Sequence, residues 1–177
     1  FIVDMTGAGS DLDPATKDTT IRDKENQIVG RLTDGIYGNG AILDGNWNET
    51  GERSKYYEAY RQIDRTLVLD LGQLSHITTL NLHMQEHLKY GISIPSTVSY
   101  FLSEDGVDYR RVGQVSRFDA QLDTNSDHNA ADPDCQNYNF QLQDLDYNAR
   151  YVKLSFELSG TWAFADELEV LGSLEPS

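Results

Sequence analysis

Of the 177 residues one is cysteine, Cys135. A disulfide within the chain needs two, and a zinc centre built on several thiolates needs more, so both are excluded. No apolar run approaches the roughly 20 residues that a membrane-spanning helix requires. Cations are scarce, with 14 Lys and Arg against 29 Asp and Glu, a formal net charge of -15. Such a surface repels phosphate backbones, which argues against nucleic acid, and it disfavours anionic membranes and polyanionic glycans. Neutral glycans, cationic glycans and divalent metals stay open. There is no G-x-S-x-G, no phosphate-binding P-loop and no Cys-His pairing of a nucleophile with its base. Carboxylate pairs arise by chance among so many acids, and they decide nothing about catalysis. With Phe in place of Met at position 1 and no leader-like segment, the chain is expected to be a mature fragment or a piece of a longer protein.

Residues 66 to 103 read as three strands. Leu67, Leu69 and Leu71 alternate with Val68 and Asp70. A Gly72-Gln73 turn follows, then Ile77, Leu80, Leu82 and Met84, with Asn81, His83 and Gln85 between the last three. Thr97 to Leu102 comes after Pro95, and Asp105-Gly106 favours a tight turn. Alternation of this kind marks strands with one face in a core. Tyr109 to Val115, Tyr138 to Leu142, Ala149 to Leu158 and Phe164 to Leu171 continue the pattern. About eight strands and no convincing long helix predict an all-β sandwich or barrel.

The intervening stretches read as loops. Residues 1–26 are polar and aperiodic, an expected N-terminal extension or linker with a possible short strand at Phe1 to Met5. Residues 27–48 hold five glycines, which exclude a helix and suit a binding loop. Residues 49–65 carry Tyr56, Tyr57 and Tyr60 on a loop or a short helix. Residues 119–135 form an acidic loop. The start of its run Asp123, Asn125, Asp127 and Asn129 mimics EF-hand ligand spacing, but His128 stands where that loop needs glycine, Asp134 replaces the bidentate Glu and no helices flank it. A solvated acidic loop fits that segment better.

The order of these pieces carries a resemblance: Leu32-Thr33-Asp34-Gly35, then Trp47, then Arg65 to Gly72 as R-x-L-V-L-D-L-G. Ser99 to Tyr109, Ala149 to Leu154 and Asp166 to Val170 complete it. Over residues 28 to 172 the chain resembles the discoidin, or coagulation factor 5/8 type C, family, and within it the bacterial carbohydrate-binding modules of family 32. The resemblance implies a galactose-binding-like jelly-roll β-sandwich, placed here at residues 27–173. It implies a non-catalytic, extracellular bacterial module, monomeric and tethered to a secreted enzyme, that binds a polysaccharide or oligosaccharide. A protein-interaction module and a lyase or hydrolase on the same sandwich are the alternatives. The resemblance also implies one structural calcium, with Asp34 and Glu167 at the matching positions. Asp44 is a further carboxylate without a motif match.

For a sugar, aromatic rings suit the apolar C-H face and bidentate polar groups suit the hydroxyl fringe. Trp162, Arg61, His87 and Trp47 are the leading candidates, with Tyr60, Tyr90 and His83 beside them. Trp47 reads equally as a core residue, and His83 as a structural imidazole. His83 and His87 lie in a strand-like pattern outside any H-E-x-x-H frame, so zinc is not expected there.

Overall fold

The computed structural model describes residues 2–4, 48–52, 64–125, 133–157, 159–160 and 162–177, with side chains from Thr66 onward except that of Trp162. Nine strands form among them: β1 Ile2–Asp4, β2 Asn48–Glu52, β3 Asp64–Glu86, β4 Thr97–Ser103, β5 Arg110–Ser116, β6 Gln121–Leu122, β7 Gln136–Leu142, β8 Tyr147–Glu157 and β9 Trp162–Ser173. A 3-10 turn, Leu88–Tyr90, is the one helical piece among the described residues.

β3 joins two layers. The sequence divides it at Gly72 into two strands, but the ladder runs through as one bent strand of 23 residues. Its register against β8 shifts between Asp70 and Ser75. Gly72 sits at φ 82, a conformation that costs glycine no steric strain, and its N–H donates to the Asp70 carboxylate at 2.8 Å. Before the bend β3 pairs with β1 and β8; beyond it, β8 follows as far as Ile77, while β9 and then β7 take up the pairing. One layer therefore has the order β1-β3-β8-β4-β5 and the other β2-β9-β3-β7-β6. Pairing is antiparallel throughout, as in a jelly-roll sandwich.

The core lies between the layers. Leu67, Val98, Tyr100, Val152, Leu154 and Phe156 face it from the first, and Leu80, Leu82, Met84, Phe140, Ala165 and Leu168 from the second. Each large apolar side chain buried there contributes about 1.5–3 kcal/mol. The Tyr100 hydroxyl crosses the core and donates to the Phe140 carbonyl at 2.5 Å. Burial pushes that phenol far above its ordinary range.

The Asp105-Gly106 turn forms as its residues dictate. The Asp105 carboxylate accepts the N–H groups of Val107 at 2.8 Å and Asp108 at 2.9 Å. Those bonds, with one from the Ser103 hydroxyl, hold the carboxyl below its usual range. Two expectations need correction. Asn48–Glu52, in the stretch read as loop or helix, is an edge strand against β9, and β6 interrupts the acidic loop. Neither segment has apolar alternation, because each lies at a sheet edge.

Candidate functional site

β3 ends, and β4, β7 and β9 begin, at one rim of the sandwich. Asp64 opposite Glu157, Thr97 opposite Ser116 and Gln85 opposite Phe164 bring residues 87–96, 117–120 and 159–160 to that rim. Arg117 ties them together. Its guanidinium donates to the Ile94 carbonyl at 2.6 Å and to the Ser159 hydroxyl at 3.1 Å. Gly160 lies so close to Ser93 that a Cβ there would stand 2.6 Å from its hydroxyl oxygen. The segment entering β9 is therefore packed against the turn that leaves β3.

That turn presents an aromatic platform. His87 is buried, and its ring meets Tyr90 edge-on with centroids 4.5 Å apart. Gly91 closes the turn at φ 74, and its N–H donates to the Leu88 carbonyl. Tyr90 is 51 % exposed, with the Lys89 ammonium 5.8 Å from its ring centroid. Leu88 and Phe118 are also exposed at this rim, Phe118 almost fully. Of the sugar candidates, His87 and Tyr90 are thus brought together, with His87 positioning Tyr90 instead of exposing its own ring. Trp162 begins β9 at the same rim, opposite Glu52, and its side chain lies outside the described residues. Arg61, Tyr60 and Trp47 lie outside the described residues altogether.

His83 is corrected. It is fully buried on the outward face of β3 in the second layer. Its Nδ1 is 2.6 Å from the Asp166 carboxylate and its Nε2 is 2.8 Å from that of Asp123. Both ring nitrogens are thus engaged by carboxylates inside the molecule. The imidazole is therefore withdrawn from any surface ligand. Asp123 likewise leaves the EF-hand-like run: it reaches His83, and its other oxygen accepts the Asn125 N–H at 2.9 Å.

A β-bulge builds this cluster. Met84 opposes Ala165 and Leu82 opposes Leu168, both pairs facing the core. Between them β3 supplies His83 alone while β9 supplies Asp166 and Glu167. Both acids consequently share the polar face, and both are buried. A buried carboxylate is the hard oxygen donor that calcium selects, so Glu167 fits that role chemically. Asp34 and Asp44 lie outside the described residues, and among the described residues no three His, Cys, Asp or Glu side chains converge as a metal-binding group. Cys135 is buried at the foot of β7.

Sequence reasoning missed Arg117, Phe118 and the Asp123-His83-Asp166 trio. One cue was present. Inward Ala165 and Leu168 are separated by two residues, where strict alternation allows one, and that spacing marks a bulge.

No family model and no curated protein sequence matches the chain. Solved structures do. The C-terminal domain of a chitobiase from Bacteroides fragilis is 21% identical over 86% of this chain and 87% of that one, at a TM-score of 0.50. This chain has that domain's fold, an antiparallel jelly-roll β-sandwich as expected above. Also similar are the third family 32 carbohydrate-binding module of a family 31 glycoside hydrolase from Clostridium perfringens (14% identity, 76% and 81% covered, TM-score 0.47) and a family 32 module of the same organism in complex with GalNAc-β-1,3-galactose (17% identity, 72% and 96% covered, TM-score 0.42).

Proposed function

We propose that this chain is a non-catalytic carbohydrate-binding module whose sugar site lies at the rim that carries Tyr90. The observation that carries the reading is an exposed aromatic ring, braced edge-on by a buried histidine, in a rim whose loops Arg117 clamps together. A ring held this way offers a flat apolar face at little ordering cost, which suits the C-H face of a pyranose. Trp162 and Arg61 are the proposed partners, as a second ring and a donor to sugar hydroxyls. The module's proposed role is to hold a secreted bacterial enzyme near a polysaccharide, where tethering compensates for weak single-site binding.

A glycan array and affinity gels with neutral polysaccharides test this. Retardation of the wild type, lost in Tyr90→Ala, Trp162→Ala and Arg61→Ala, is expected. Wild-type binding that all three variants retain would overturn the rim assignment, and release of reducing sugar by the isolated domain would overturn the non-catalytic one. We further propose a structural calcium held by Glu167 with Asp34. A ligand that binds only the folded state raises its melting temperature, so calcium is expected to raise Tm and EDTA to lower it, with Glu167→Gln abolishing the difference.

A further inference from the structure

We propose a second glycan site on the outer face of the β1-β3-β8-β4-β5 layer, taking an extended neutral oligosaccharide laid across four strands. Thr66, Ser155, Ser99 and Gln114 are successive register partners on β3, β8, β4 and β5. Their neighbours along each strand, Leu67, Leu154, Val98 and Val115, are buried in the core, so these four point outward. Three spacings between adjacent strands make the row about 14 Å long.

Outer faces of sheets usually carry long charged side chains that lie over the strands. This row carries three hydroxyls and one carboxamide, and the strands beneath stand open as a depression of about 470 Å³ that Thr97 and Glu157 also line. Beside it runs the next outward row, where Val68, Lys153 and Phe101 are register partners and Arg111 pairs with Phe101. The Lys153 ammonium stands 4.8 Å from the Phe101 ring centroid and 4.3 Å from that of Tyr109. It has no carboxylate partner among the described residues.

The chemistry selects the ligand. The hydroxyls both donate and accept, as sugar hydroxyls do, and the Gln114 carboxamide, whose oxygen accepts from the Arg111 guanidinium, donates through its NH2. Glu157 is the one charged residue that lines the depression, with Lys153 and Arg111 in the row beside it, in a chain of net charge -15. A neutral polyhydroxylated chain satisfies the row, whereas a polyanion meets Glu157 and the field of the whole molecule. This site does not depend on the rim site.

The test uses affinity gels containing xylan, galactomannan or hydroxyethylcellulose, with polygalacturonate as the charged control. Ser155→Tyr fills the trench at an outward strand position where an aromatic is well tolerated, and Ser99→Ala with Gln114→Ala removes two of its four polar groups. Both variants should melt as the wild type does and bind one of the neutral polymers about tenfold more weakly. Tyr90→Ala reports on the rim separately. Loss of binding in Tyr90→Ala with none in the trench variants would overturn this proposal and leave the rim site standing. Loss in the trench variants alone would leave this proposal standing without the rim. Preferential retardation by polygalacturonate would overturn the neutral assignment.

Discussion

The sandwich has two outer faces, and both are polar in sequence. On the first layer Thr66, Ser155, Ser99 and Lys153 are half-exposed. On the second layer Asn81, His83, Gln85, Asn137, Asp166 and Glu167 are buried. An open polar side chain exchanges water for protein at little net gain or loss. A buried one must find its partners inside the molecule or forfeit its solvation. Substitutions on the two faces should therefore differ by several kcal/mol, although the residues replaced are of similar type.

The largest effect is expected at His83. Removing the ring in His83→Ala leaves Asp123 and Asp166 buried without it, and losing one partner of a buried charged cluster costs about 3–5 kcal/mol. Urea unfolding measures this. A loss below about 1 kcal/mol would mean that the second face is hydrated after all. Asn81 comes next. Its amide donates to the Asn139 carbonyl oxygen at 2.8 Å and to the Glu169 carboxylate at 3.3 Å. Asn81→Ala is expected to cost about 1–3 kcal/mol in the same assay. Desolvation raises the Glu169 carboxyl above its usual range. A raised carboxyl favours the folded state once protonated, so this group adds stability as pH falls through its folded pKa.

On the open face the effects shrink. Arg150 grips Asp70 through two bonds of 2.7 and 2.8 Å. That guanidinium first, and the Gly72 N–H second, lower the Asp70 carboxyl from 3.8 to about 2. The pKa is depressed on folding, so the stabilisation is present above the unfolded value and is lost as pH falls from about 4 towards 2. Both side chains are about two-fifths exposed, so solvent screening keeps the contribution of the pair small. Asp70→Asn should flatten the acid limb of a stability-pH curve only slightly. Lys153→Ala is expected to lie within about 0.5 kcal/mol of wild type. A larger loss there would show that the cation over Phe101 and Tyr109 supports the sheet.

Much of the fold was legible because the core obeys a period of two. Val152, Leu154 and Phe156 on β8 and Leu80, Leu82 and Met84 on β3 alternate inward as their sequence implies. The turn at Asp105-Gly106 was legible because Asp and Gly act on their own backbone. β2 and β6 were not, because edge strands draw their pairing from a neighbour. At the rim, the position of Tyr90 in the loop after a strand was legible because the alternation stops before it. Arg117 was missed because its partners, Ile94 and Ser159, lie 23 and 42 residues away.

Residue order was enough to establish alternating strands, a tight turn and a long acidic surface, since each depends on neighbours within a few positions. It left open which polar face would meet water. Thr66 and Asp70 on one half of β3 read like Asn81 and His83 on the other. Their different surroundings follow from the bend at Gly72, which puts the halves in opposite layers, and from a single extra residue in β9, which turns Asp166 towards His83. Burial depends on what packs against a face from distant parts of the chain, and local alternation carries no record of that.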